Sequence, residues 1–254
     1  MAYTWELETP TQNLILPQNA GRPVATFMPT IRKEMKGGVM GTDAISELFA
    51  NRIILFTSQF DEASCTAAQA QLFYLDANVT DPDNSEIKMY VNSPGGVVTA
   101  GLALYNTMQN IQSPVSTIGM GMCASMGAFL LCTGAPGRRF AYPDTTIMIH
   151  QPSWGNQGTH RHMKAHMKFG DQLYLKMIGI MAAHCDITFE EMEAALLEDN
   201  FLTAQQALEL GMIDRIIPAP EGKTVVVPRR PGEAAVKTTR TRASRATTKT
   251  PAAS

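Results

Sequence analysis

An α/β domain with a mostly parallel sheet is the fold class this sequence predicts. Short apolar strand-like runs alternate with helix-period segments in a βαβ rhythm, and glycine-rich breaks separate strand from helix. A chain of 254 residues that is 44% hydrophobic is also long enough to bury one substantial core. The expected organisation is an irregular N-terminal arm over 1–36, one domain over 37–220 and a basic tail over 221–254.

The arm mixes Pro, Thr, Asn and Gly with brief apolar patches at Leu14-Ile-Leu16 and Val24-Ala-Thr-Phe27. Thr42 then predicts the cap of a helix over 42–51, and Arg52-Ile-Ile-Leu-Phe-Thr57 a strand. Residues 61–77 read as a helix with Ala67, Leu72, Phe73 and Leu75 on its inner stripe. Glu86-Ile-Lys-Met-Tyr-Val-Asn92 alternates as a strand does, and Ser93-Pro-Gly-Gly96 breaks the chain sharply. A helix over 97–111 directs Leu104, Tyr105, Met108 and Ile111 to the core. A buried strand over 115–119 follows, which Gly119-Met-Gly121 ends. Ser125-Met-Gly-Ala-Phe-Leu-Leu-Cys132 reads as a short buried helix, and 145–150 as another strand. A long helix runs over about 158–184. Thr188-Phe-Glu-Glu191 and Thr203-Ala-Gln-Gln206 are capping boxes, with Gly211 at the C′ position of the second helix.

The formal net charge of -2 conceals an asymmetry. After Pro220 there are eight Lys/Arg against Glu221 and Glu233, which leaves 13 basic and 21 acidic residues before it. The body is acidic and the tail basic. From Pro228 onward the tail has almost no large apolar side chain, so it cannot offset its ordering entropy and is expected to be disordered. Without interleaved aromatics it is not read as a nucleic-acid site. Cys65, Cys123, Cys132 and Cys185 form no C-x-x-C pair and sit in apolar surroundings, as reduced core residues of a cytoplasmic protein do. No apolar run reaches the ~18 residues of a membrane span, and residues 1–20 lack a signal-peptide pattern.

Ligands of α/β sheets sit beyond the carboxyl ends of strands. Two loops qualify, 92–96 and 120–126. Ser125 stands at a helix start, where unpaired backbone N–H groups favour a developing oxyanion; the bland reading is an N-cap. The N–H groups of Gly96 and Met126 can point at one carbonyl oxygen as an oxyanion hole. Of five histidines, His150 ends an apolar strand at the same sheet edge and is the best general base. His160, His162 and His166 begin the long helix, and His184 ends it. His162 and His166 have metal-compatible spacing but no nearby carboxylate or cysteine, so no metal is expected. Asp199, Glu198 and Asp214 all remain candidates to orient the imidazole. Cys123 stands where a G-x-S-x-G elbow needs glycine, and the Ser-His-Asp order differs from that of α/β-hydrolases.

Asn92-Ser-Pro-Gly-Gly-Val-Val-Thr-Ala-Gly101, Cys123-Ala-Ser-Met-Gly-Ala-Phe-Leu-Leu131, Met148-Ile-His-Gln-Pro152 and Asp199-Asn-Phe-Leu202, with 207–214, closely resemble the ClpP family. This is the proteolytic subunit of the ATP-dependent Clp protease. The resemblance spans about 45–217. It implies a ClpP/crotonase-like fold of repeated ββα/βαβ units with a protruding long helix. It implies a serine endopeptidase with Ser125 as nucleophile, His150 as base, Asp199 orienting it, and Gly96 and Met126 in the oxyanion hole. It further implies two stacked heptameric rings, homomeric or mixed with a paralogue, enclosing unfolded polypeptide substrates fed by a hexameric AAA+ unfoldase. No cofactor is expected in this subunit, and neither membrane nor nucleic acid as a partner.

Three features depart from the family. Leu197-Glu198 replaces the usual acidic–Arg pair ahead of the aspartate, the arm is longer than the usual axial loop, and the basic tail has no counterpart. Three other readings stand beside the protease. A crotonase-type acyl-CoA enzyme needs no Ser–His–Asp set, a non-catalytic ring subunit usually loses a triad member, and a virus-encoded relative would suit the unusual arm and tail.

Overall fold

The computed structural model describes residues 30–35, 38–153, 155, 158–218, 220, 224–226 and 237–239. Most of the expected arm and most of the tail lie outside these residues. Where the arm is described, Thr30–Met35 (β1) and Gly38–Asp43 (β2) form an antiparallel hairpin, not an irregular segment. In the tail, Thr224–Val226 and Lys237–Thr239 pair antiparallel, in a unit of their own that begins at Ile217.

In the main unit the βαβ rhythm is present in the expected order. Ala44–Ala50 (α1) is capped by Asp43, whose carboxylate accepts from Ser46 N at 2.9 Å; the cap is one residue later than Thr42. Ile53–Phe56 (β3), Glu62–Ala77 (α2), Ile87–Ser93 (β4), Val98–Asn110 (α3) and Val115–Ala124 (β5) follow. Then come Met126–Cys132 (α4), Arg139–Ala141 (β6), Thr146–Ile149 (β7) and His160–Cys185 (α5). Phe189–Leu196 (α6), Asn200–Thr203 (β8), Ala204–Glu209 (α7) and Arg215–Ile216 (β9) complete it. Both expected capping boxes are formed, and Gly211 takes a φ of 75° while Met212 N donates to Ala207 O at 2.9 Å, closing α7 as a Schellman turn.

On α2 the buried residues are Cys65, Ala68, Leu72 and Leu75. Phe73 is 56% exposed and Ala67 also faces out, because a residue next to Leu72 is turned ~100° from it. The inner stripe follows i, i+3, i+7, which the expected set does not.

The sheet order is β3-β4-β5-β6-β9, all parallel, with β7 parallel to β5 and β8 antiparallel to β7. Strand β5 is the pivot. It pairs with β6 through Thr117–Gly119 and with β7 through Met122–Ala124, so one ten-residue strand serves two neighbours. The glycines expected to end it instead bend it. Val91 pairs with Gly119 and Ser93 with Cys123, which inserts two extra residues into β5 as a bulge. Gly121 supplies a φ of 64° there, and Met122 N donates to Asn92 Oδ1 at 3.1 Å, tying the bulge to β4. The bend carries β5 onward to Ser125.

Helix α4 is buried along its whole length, packed on β5 and against α5. Helix α5 divides in two: residues 160–169 carry no buried side chain, whereas Gly170, Met177, Ile178, Met181, Ala182 and Cys185 face the core. Its first half therefore lies at the surface of the main unit.

Candidate active site

Strands β4, β5 and β7 deliver the candidate residues to one sheet edge. Ser125 follows β5, Gly95 and Gly96 follow β4, and His150 follows β7. Gly96, Ser125 and His150 line a single cavity of about 70 Å³, whose remaining walls include Val98, Ile149, Met177 and Leu196. A groove of about 630 Å³ shares Gly96, Val98 and Ser153 with it and continues along α5 past Phe169 and Leu173. A polar hollow of about 610 Å³ at the amino ends of the strands contains none of these residues; Arg52, Lys88 and Glu86 line it.

Ser125 adopts φ 53° and ψ -119°, a costly conformation for a non-glycine residue. Its backbone is held on both sides: its N–H donates to Met148 O at 2.8 Å, and its C=O accepts from Phe129 N at 3.0 Å. Its hydroxyl makes no capping bond to α4. The N-cap reading is therefore excluded, and the turn that strains the backbone frees the hydroxyl for the cavity.

His150 Nδ1 lies 3.2 Å from Asp199 Oδ1. With its proton on Nδ1 the imidazole donates to the carboxylate and leaves Nε2 bare as a base. Strand β8 explains the meeting: antiparallel pairing sets Ile149 opposite Asn200, so His150 and Asp199 are the next residues outward on each strand. The carboxylate is 67% exposed, against 24% for the imidazole. Gln151 Nε2 also donates to Leu197 O at 3.1 Å, bracing the turn that presents Asp199.

The competing carboxylates separate. Asp214 forms a two-pronged pair with Arg139, Nη2 to Oδ1 at 2.7 Å and Nε to Oδ2 at 3.0 Å, and also accepts from Arg139 N. Burial opposes its charge, but the Arg139 bonds outweigh burial and hold the carboxyl below its usual value. Arg139 Nη1 donates to Cys132 O and His184 O, so the pair ties together the ends of α4 and α5. This is a structural site. His184 stacks edge-on against Tyr105 there, and burial, with help from Arg139, pushes its pKa down. Cys123 is buried, its thiol is pushed up to about 12 by burial, and its Sγ donates to Val91 O; it is not a nucleophile. His162 and His166 stack with ring centroids 4.3 Å apart, and no group of three metal-ligating side chains exists among the described residues.

The glycine loop approaches Ser125 closely. A Cβ on Gly95, at φ 93°, would lie 2.7 Å from Ser125 Cβ and 3.0 Å from Met126 N. Phe60 N donates to Gly95 O and Val97 N donates to Phe60 O, a parallel bridge between Phe60 and Gly96. In such a bridge the peptide groups of Gly96 itself point away from Phe60. The Met126 N–H, at the first position of α4, has no carbonyl within its own helix to bond. The sequence did not foretell the Phe60 link, because it joins loops 35 residues apart through backbone atoms.

Comparison with known families decides the relationship. The model of the Clp protease family matches residues 36–220, most of the chain. The chain belongs to the Clp protease family. Its mixed α/β architecture with a parallel sheet is the ClpP fold, and it is a peptidase of the ClpP type. Among the described residues no helix is long and apolar enough to cross a membrane.

Proposed function

We propose that this Clp protease family member is the proteolytic subunit of a Clp machine, a serine endopeptidase in which Ser125 attacks, His150 is the base and Asp199 orients it. The observation that carries the reading is the His150–Asp199 contact of 3.2 Å beside a strained, uncapped serine in the same cavity.

An extended peptide adds as a strand along Gly96 and enters the groove toward α5, held by main-chain bonds with little side-chain selection. Ser125 Oγ attacks the scissile carbonyl as its proton passes to His150 Nε2. The N–H groups of Gly96 and Met126 bind the oxyanion, each donor contributing about 3 kcal/mol. The imidazolium then protonates the leaving amine, and water, deprotonated by His150, hydrolyses the acyl-enzyme. The subunit requires no cofactor.

The small cavity and the open groove suit unfolded chains, the expected delivery of a hexameric AAA+ unfoldase. Assembly into two stacked heptameric rings, homomeric or mixed, would supply the chamber. An Asp199 that is two-thirds exposed in the single chain fits a site finished by such assembly. The four free, buried cysteines suit the cytoplasm.

Intact-mass spectrometry after treatment with a fluorophosphonate probe tests the reading. One adduct per chain, absent from Ser125→Ala, is expected. An assembled wild-type ring that stays unlabelled would instead make this a supporting subunit.

A further inference from the structure

Ser93 is the last residue of β4 and is 1% exposed. Its hydroxyl donates to Ser58 O at 2.6 Å and accepts from Gly95 N at 3.2 Å. One side chain thus joins the segment after β3 to the glycine loop. Two residues along that segment, Phe60 makes the backbone bridge at 2.9 and 2.8 Å that turns Gly96 away from it. Phe60 itself is immobilised: its ring is fully buried, 4.6 Å from that of Phe56. Helix α4 presses on the same residue, since a Cβ on Gly127 would meet Ser93 O at 2.8 Å. Ser93 therefore sits where the nucleophile's helix, the glycine loop and the Phe60 segment converge.

We infer that Ser93 is a positioning residue for the oxyanion hole, its hydroxyl fixing the Gly95-Gly96 turn so that the Gly96 N–H points into the cavity. The inference rests on the protease reading above. Ser93 does not touch substrate. Gly95 and Gly96, with φ of 93° and 148°, occupy a stretch of backbone that has more alternative conformations than any other residue pair would allow. Fixing such a pair in one conformation is entropically costly, so a donor and acceptor that bind only the productive turn decide how much of the population is competent.

Three measurements on the assembled protein test this. Ser93→Ala is expected to lower kcat for a fluorogenic peptide by about 10- to 100-fold, with KM changed by less than about threefold, because an oxyanion donor acts mainly in the transition state. Thr117→Val is the control. The Thr117 hydroxyl donates to Leu131 O at 2.6 Å in the core, away from the loop, so this variant loses a buried bond of the same kind and is expected to lose thermal stability but not kcat. Hydrogen exchange at the Gly95 and Val97 amides is expected to accelerate in Ser93→Ala alone.

Unchanged exchange at those amides, unchanged kcat, or an equal loss of kcat in both variants would each overturn the assignment. A wild-type protein inert to fluorophosphonate would sink the protease reading instead, while the exchange experiment still judges Ser93. If Ser93→Ala does not fold, Ser93→Cys keeps a weaker donor and acceptor in similar volume and is expected to show the same pattern at smaller amplitude.

Discussion

Replacing Gly95 by alanine adds one methyl group at the point where the two halves of the candidate site touch. The new carbon would lie 2.7 Å from Ser125 Cβ, 2.8 Å from Ala124 O and 3.0 Å from Met126 N. None of these is the end of a flexible side chain. Carbon atoms pack at about 3.5–4.0 Å, so relief requires a displacement of about 1 Å between the loop and the Ser125 turn. The backbone adds to the cost, since Gly95 holds φ 93°, where an L-residue is strained by about 1–2 kcal/mol. Under the proposed mechanism a shift of that size takes the Gly96 N–H off the oxyanion, a loss of about 3 kcal/mol, and a 1 Å misplacement alone is worth ~10²-fold. These are one displacement counted two ways and do not add. The expected outcome for Gly95→Ala is therefore a fall in kcat of about 10²- to 10³-fold. Steady-state hydrolysis of a fluorogenic peptide measures it, with circular dichroism confirming the fold. A folded Gly95→Ala protein whose kcat stays within threefold of wild type would refute the reasoning that this contact sets the donor geometry.

Other substitutions separate the carboxylates. Asp199→Asn is expected to lower kcat by roughly 10³- to 10⁴-fold while melting as the parent does, because the side chain is exposed and its partner among the described residues is His150. Asp214→Asn should do the reverse, costing about 3 kcal/mol in urea unfolding by leaving the largely buried Arg139 without its carboxylate. The same pair sets an acid limit. The folded-state pKa of Asp214 is depressed, so its stabilisation is fully present above the unfolded value near 4 and is lost as pH falls through the folded one. Melting temperature measured from pH 6 to pH 2 should accordingly fall less steeply in Asp214→Asn than in the parent. Iodoacetamide at pH 8 should leave all four cysteines unmodified until the protein unfolds, since each is buried and Cys123 is held at about 12; labelling of the native protein, read by mass, would contradict that.

What the sequence reveals and what it conceals divide along the range of the interactions. Capping boxes at Thr188 and Thr203 are visible because their partners lie three residues away. The alternation along β4 and the buried run of α4 are equally local. Misread elements are those where a local rule meets a tertiary constraint. Gly119 and Gly121 read as a strand end, but pairing with β4 and β7 on either side carries β5 through a bulge. Phe73 reads as core, but Leu72 already occupies the inner face of α2. Serine at the head of α4 reads as a cap, but its hydroxyl does not bond the helix. The Ser93–Gly95 half of the link is local, two residues apart, but the Ser58–Ser93 half has no local signature, since its acceptor lies 35 residues away in another loop.

The three acidic candidates show why residue type alone assigns no role. Glu198, Asp199 and Asp214 are similar groups within seventeen positions of one another. Direction along the sheet distinguishes the two aspartates. Asp199 precedes β8, which runs against β7, so the start of one strand meets the end of the other and the carboxylate arrives where His150 leaves the sheet. Asp214 precedes β9, which runs with β6, so the starts of both strands coincide and its carboxylate meets Arg139 at the opposite edge. One antiparallel strand in an otherwise parallel sheet is thus what brings a carboxylate to the edge that carries His150. In a wholly parallel arrangement, a residue just before a strand would lie at the far edge from the histidine. The reversal at β8 and the bulge in β5 are departures from regular βαβ winding in the main sheet, and each supplies one member of the candidate triad: Asp199 from the first, Ser125 from the second.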